Sequence, residues 1–198
     1  MLHPDVRLIW KDDKLGYGLY ATAMIPAGTM VFVQDALDIV IPADSPLLQD
    51  PKYAGWIDRY CVIDGQGNHI VGWDASKYAN HCCHYNTLAT AYGFEMAIQD
   101  IEAGEEITCD YLIFNLDEDM PLVCHFEDCR KILHPEDFEH WAPTWDSQIC
   151  LALQSFLEQP QPLLEYLPAA HYQPLRDYLL TGEGYRPVSL LRYKPQRG

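Results

Sequence analysis

The stretch Tyr78 to Asn86 reads YANHCCHYN, and it holds two histidines, two adjacent cysteines and two asparagines in nine residues. Burying so many polar, metal-capable groups is costly unless each finds a partner. Three kinds of chemistry suit it: a metal site, a nucleophilic cysteine, or a clamp in which backbone and amide groups hold a ligand. Two other stretches carry chemistry-bearing groups. GYGLYA, Gly16 to Ala21, sets two glycines ahead of a strand, which lets a ligand lie directly against the backbone. It is not the dinucleotide fingerprint, since no third glycine follows at the required spacing and no helix opens there. GEEITCDY, Gly104 to Tyr111, puts paired glutamates before a strand ending in Asp-Tyr. Alone it reads as an edge strand with a buried tyrosine.

The elements that must position these groups are short. Residues 5 to about 112 read as strands broken by turns: GLYATAMI, the turn Pro26-Ala27-Gly28, then TMVFVQDALDIVI. RYCVID and NHIVGW flank GQG as a hairpin. AYGFEMAIQDI turns at Ala103-Gly104 and resumes as EEITCDYLIF. No helix–strand alternation is visible, which excludes a doubly wound parallel sheet. The acidic NLDED, Asn115 to Asp119, predicts a solvated loop and a boundary. Beyond it Pro135 suits a helix start ahead of EDFEHW. From a cap at Asp146 or Ser147, Ile149, Ala152, Leu153, Phe156 and Leu157 form one apolar stripe. Leu175, Tyr178 and Leu179 suggest a further short helix, with prolines at 160, 162, 168 and 174 keeping these helices short. The expected fold class is mostly β with added α: a body of short strands and a small helical C-terminal appendage.

Composition bounds the function. The 198 residues, 48% hydrophobic, suffice for one sizeable core. No run approaches the roughly 18 apolar residues of a membrane helix, and the N-terminus lacks a signal-peptide core, so a soluble intracellular protein with no membrane partner is expected. Seven cysteines without a secreted spacing read as reduced thiols, with Cys61 and Cys150 as core packing. The net charge of −16, from 29 acidic against 13 basic residues, repels phosphate backbones and attracts basic protein segments. Direct nucleic-acid binding is therefore not expected.

In order and spacing the three stretches together resemble the SET-domain lysine methyltransferases. GYGLYA resembles the N-terminal G-x-G strand of that family, KYANHCCHYN its Arg-Phe-Ile-Asn-His-Ser-Cys-x-Pro-Asn signature, and GEEITCDY its Gly-Glu-Glu-Leu-Thr-Tyr-Asp-Tyr signature. A post-SET-like cysteine pair follows in VCHFEDCRK, so the resemblance covers about 5 to 133. It implies a SET-type fold with a pseudoknot over 5–112, a post-SET-like segment over 113–133 and the helical appendage over 134–198. It implies that Gly16, Tyr17, Gly18, Asn80 and His81 bind S-adenosyl-L-methionine, with His81 positioning rather than acting as a base. Tyr111 would be the catalytic tyrosine and a further cofactor contact. Tyr60 and Cys109 would line the substrate lysine channel, and Cys83, Cys124 and Cys129 would hold zinc. The nucleophilic-cysteine reading loses, because no ordered pattern of a thiol protease accompanies it.

The implied reaction is methyl transfer to a lysine of a basic protein of histone-like or ribosomal type. The alternative is a catalytically silent SET-like peptide-binding module, and a third reading is a purely structural zinc-dependent domain. The chain departs from the family pattern at several positions. Tyr85 stands for the proline of the central signature and Cys82 for its serine. Cys109 replaces the aromatic residue before Asp-Tyr, and Leu122 stands where a further zinc cysteine is expected, which leaves two alternatives: His84 or His125 completes a tetrahedron, or the site has lost its metal.

Overall fold

A computed structural model describes residues 1–124 and 126–194; His125 lies outside the described residues. In chain order the strands and helices are β1 (Val6–Asp12), β2 (Gly16–Ala21), β3 (Met30–Val33), β4 (Ile39–Ile41), α1 (Ala54–Tyr60), β5 (Val62–Ile63), β6 (His69–Val71) and β7 (Asn80–His81). They continue as β8 (Thr87–Ala89), β9 (Phe94–Ala97), β10 (Glu106–Cys109), β11 (Met120–Pro121), β12 (Ile132–Leu133), α2 (Phe138–Leu153) and α3 (Ala169–Thr181).

The strands form small sheets, ordered β1-β2-β10-β7, β3-β9-β8, β4-β6-β5 and β11-β12. The decisive element is β10. It pairs antiparallel with β2, setting Glu106 opposite Tyr20 and Ile107 opposite Leu19. It pairs parallel with β7, setting Thr108 beside Asn80 and Cys109 beside His81. Backbone hydrogen bonding alone thus brings three distant stretches to one place. The turn between β9 and β10 needs Gly104 at φ +87°, where an L side chain is strained. Gly28, at φ +89°, is needed for space as well, since a Cβ there would lie 2.8 Å from the Ala152 carbonyl oxygen at the end of α2.

Two cores hold the sheets. The smaller collects Val6, Leu19, Ile25, Val31, Ala97, Ile101 and Ile107. The larger joins Met30, Leu88, Tyr92 and Met96 of the strand body to Phe138, Trp145, Ile149, Phe156 and Leu175 of the C-terminal segment. The C-terminal helices therefore share a core with the strands.

Several expectations are corrected. Arg59 and Tyr60 end α1 rather than begin a strand, so the hairpin is shorter: Val62 pairs with Ile70 and Ile63 with His69. α2 does not begin at Asp146 or Ser147; it runs unbroken from Phe138 through Pro143. The Ser147 hydroxyl turns back to donate to the Pro143 carbonyl at 2.8 Å. Leu157 lies beyond the helix and is exposed. α3 likewise contains Pro174 rather than stopping at it. Asn115, expected in a solvated loop, is buried at φ 60°. Its amide nitrogen donates to the carbonyls of Ile63 and Leu191, each at 2.8 Å, and its oxygen accepts from the Tyr193 nitrogen at 2.9 Å. Cys61 and Cys150 are half-buried rather than enclosed. Among the described residues no helix is long and apolar enough to cross a membrane.

Candidate active site

β2, β7 and β10 set the first group of side chains. The Asn80 amide donates to the Tyr17 carbonyl at 3.1 Å and to Glu106 Oε1 at 2.8 Å. Glu106 also pairs with the Lys11 ammonium. Gly18 faces this network. A Cβ built on it would lie 2.6 Å from Glu106 Oε1 and 3.0 Å from Asn80 Nδ2, so only glycine fits without displacing the amide. Gly16 begins the strand at φ +79°. The result is a cradle of bare backbone, one amide and one carboxylate at the meeting of β2, β7 and β10.

Tyr17 is exposed and starts a file of rings. It packs edge-on against Trp10 (5.2 Å between centroids) and Tyr78 (5.6 Å). Tyr78 contacts Tyr60 at 5.5 Å, and Tyr60 contacts Trp56 at 5.3 Å. Edge-to-face contacts at these spacings suit the ring quadrupoles. Tyr60 thus stands on the same wall as Tyr17, with Tyr78 between them.

His81 and Tyr111 form the second group. The His81 Nδ1 accepts from the Tyr111 backbone nitrogen at 3.3 Å, which leaves the ring proton on Nε2, 3.6 Å from Cys83 Sγ. Burial lowers the His81 pKa to about 4; Asp110 opposes the shift and Arg130 adds to it. The imidazole is therefore neutral near pH 7 and orients its neighbours rather than carrying charge. The Tyr111 hydroxyl donates to the Ala79 carbonyl at 2.6 Å. Burial first, then the nearby Cys109, Glu95 and Glu106, raise the phenol well above its ordinary range. It remains a neutral hydroxyl whose oxygen keeps lone pairs to offer. Cys109 is buried, with Sγ 3.9 Å from the Asn80 carbonyl oxygen, and burial raises its thiol far above normal.

Asp110 fixes this second group from behind. It is fully buried. Its carboxylate accepts from Arg130 Nη2 at 2.9 Å, from Trp145 Nε1 at 3.2 Å and from the Leu112 nitrogen at 3.2 Å. It lies 3.8 Å from His81 Nδ1. The 3-10 turn Tyr111–Phe114 starts on this carboxylate as its cap. Tyr85, in place of the expected proline, ties the same region to α2 by donating to Gln148 Oε1 at 2.9 Å.

The thiols of Cys83, Cys124 and Cys129 lie within 4.8 Å of one another, and Cys83 and Cys129 are 3.7 Å apart. Sulfurs about 2.3 Å from a tetrahedral zinc stand roughly 3.8 Å apart, so this triangle fits that ion. Among the described residues no fourth ligating group joins it. His84 does not complete it: its Nε2 binds the Asp128 carboxylate at 2.9 Å and its ring stacks on Phe126. Cys82 neighbours Cys124, and burial pushes its thiol up to about 11.

Sequence reasoning missed Asp110, Arg130, Glu106 and the ring file. Glu106 and Asp110 stand inside the quoted GEEITCDY, and Arg130 directly follows Cys129. For Glu106 a charged residue at the head of an otherwise uncharged strand was the available signal; Asp110 and Arg130 lie outside the strands and had no local one.

Residues 16–112 match the family model of the SET domain. Over 139 residues the chain is 31% identical to the histone-lysine N-methyltransferase trithorax of Drosophila melanogaster and 27% identical to that of Drosophila virilis. These matches span 64% of this chain and 4% of each relative's length. The crystal structure of KRYPTONITE in complex with mCHG DNA and SAH aligns with a TM-score of 0.46 at 20% identity, over 67% of this chain and 30% of that one. With its three signature stretches meeting on β10, the chain carries a SET domain over residues 16–112.

Proposed function

We propose that this protein transfers a methyl group from S-adenosyl-L-methionine to a lysine side chain of a basic protein. The observation that carries the reading is the convergence of Gly16, Tyr17, Gly18, Asn80, His81 and Tyr111 around β10. When bound, the cofactor supplies an electrophilic methyl on a sulfonium. The backbone of Gly16 to Gly18 and the amide of Asn80 hold it, and neutral His81 fixes the segment that carries Asn80. The lysine must lose a proton before its nitrogen can attack, because an ordinary lysine has a pKa near 10.4. Tyr111, its own proton committed to Ala79, presents a hydroxyl oxygen that holds nitrogen and methyl in line. Tyr60 and Cys109 flank the lysine.

The acidic surface draws a basic segment of histone-like or ribosomal type and disfavours direct nucleic-acid contact. Cys83, Cys124 and Cys129 would hold a structural zinc, their thiols lying within 4.8 Å of one another, and seven reduced thiols suit an intracellular compartment. Residues 5–112 form the catalytic domain, 113–133 the thiol-bearing segment and 134–198 the helical support.

The test is incubation with labelled S-adenosylmethionine and histone-like or ribosomal basic proteins, with the label mapped by mass spectrometry. Label on lysine supports the reading. A folded protein that binds basic peptides but transfers no label would instead be a silent binding module.

A further inference from the structure

Glu95 is a buried acid on β9. β9 reads Phe-Glu-Met-Ala; Phe94 and Met96 face the larger core and Ala97 the smaller. Glu95 therefore shares the Ala97 face, which looks across β8 toward β10. Thr87 of β8 bridges the two, donating to Glu95 Oε1 and lying 3.0 Å from the Thr108 carbonyl oxygen.

A buried carboxyl is normally offset by a cation or several donors. Asp110 has Arg130, Trp145 and a backbone nitrogen. Glu95, among the described residues, has one hydroxyl. A carboxylate accepts about four hydrogen bonds, so most of its capacity is unused. Desolvation raises its pKa to about 7, against the Thr87 hydrogen bond.

Its neighbourhood says what could fill that capacity. The Thr87 hydroxyl that binds Glu95 lies 3.0 Å from the carbonyl oxygen of Thr108, the residue before Cys109 and three before Tyr111, and the charge of Glu95 raises both the Cys109 thiol and the Tyr111 phenol. Glu95 keeps 8% exposure while Phe94, Met96, Ala97 and Cys109 have 3% or less. Cys109 is also small enough not to screen it. The ligand that matches an under-bonded carboxyl at this depth is an ammonium group.

We propose that Glu95 is the acid–base residue of the lysine channel, accepting N–H hydrogen bonds from the incoming ε-ammonium and taking the proton that must leave before the amine attacks. An N–H bond breaks and a carboxyl O–H forms. The neutral nitrogen then bonds to the methyl carbon while the S–C pair returns to sulfur. Glu95 loses its proton to solvent once the methylammonium departs. The inference rests on the methyltransferase reading.

Among the described residues the groups around Glu95 are Thr87 and Ala89 on β8, Phe32 opposite it on β3, and Cys109 and Tyr111 on the β10 side, with no cation among them. In the wild type kcat/KM should therefore rise with pH through about 7, as the carboxylate forms. Glu95→Gln keeps the shape and removes the acid, so its rising limb should move toward the lysine range near 10. At pH 7.5 the loss should be about 10²-fold, shrinking toward pH 10. Glu95→Met, similar in volume, serves if the amide disturbs the sheet, and a thermal melt verifies folding. Variant profiles that overlay the wild type, or fall equally at every pH, overturn the role of Glu95 alone. A wild-type protein that methylates no lysine overturns the functional reading and this inference with it.

Discussion

Replacing Asp110 by asparagine keeps the shape of the side chain and removes its charge. The change leaves Arg130 without its carboxylate and weakens the bonds from Trp145 and Leu112. Breaking a buried ion pair from one side costs about 3–5 kcal/mol. The Arg130 side chain retains 16% exposure and stacks on Trp141 at 4.7 Å, so the lower end applies, about 3 kcal/mol. For a chain of this length that lowers Tm by about 6–12 °C. The assay is a denaturation cycle of Asp110→Asn, Arg130→Met and the double variant. With one carboxylate serving both the guanidinium and the turn that starts at Tyr111, the coupling should reach about 1.5–3 kcal/mol. Methyl transfer should fall in Asp110→Asn even below its melting range, because His81 and Tyr111 lose their common support. Single variants whose effects add to within about 0.5 kcal/mol would refute the idea that the pair acts as one unit.

Three further outcomes are expected. Purified protein should carry close to one zinc, and a chelator should lower its Tm; metal-free protein with unchanged melting would leave Cys83, Cys124 and Cys129 as packing thiols. Cys109 leaves room for a methylated amine to turn and react again, so products beyond monomethyl-lysine should form, and Cys109→Tyr should shift them toward monomethyl; strict monomethylation by the natural protein counts against this. Asn80→Ala removes the amide that joins the Tyr17 carbonyl to Glu106, so calorimetry should find weaker cofactor binding before any large loss of turnover, and unchanged affinity would remove Asn80 from the cofactor site.

The parts of the site legible in the sequence were those written contiguously. YANHCCHYN and GEEITCDY each carry several functional groups in one strand and its flanks, so their residues could be named without knowing the pairing. α1 left no trace because it is seven residues long, has no side-chain cap and buries only Ile57. α2 was read as two helices, one opening at Pro135 and one at Asp146 or Ser147, because Pro143 and Ser147 imitate a boundary. The burial of Phe138, Ala142 and Trp145 on one stripe with Ile149 and Ala152 outweighs the missing backbone donor at Pro143. Asn115 looked like loop because the carbonyls it binds lie 52 and 76 residues away. Asp110, Arg130 and Glu95 were invisible as a group for the same reason: pairing of strands and docking of α2 create their neighbourhood, and no local pattern encodes it.

Turnover by Tyr111→Phe is the most direct measurement of the central claim. The substitution removes one hydroxyl and its 2.6 Å bond to Ala79 while keeping the ring against His81. The lost hydrogen bond should cost about 1 kcal/mol of stability, so the variant should remain folded. If that oxygen aligns nitrogen and methyl, kcat should fall about 10²–10³-fold, with cofactor affinity from calorimetry nearly unchanged. A folded Tyr111→Phe protein that methylates lysine at the wild-type rate would contradict the account.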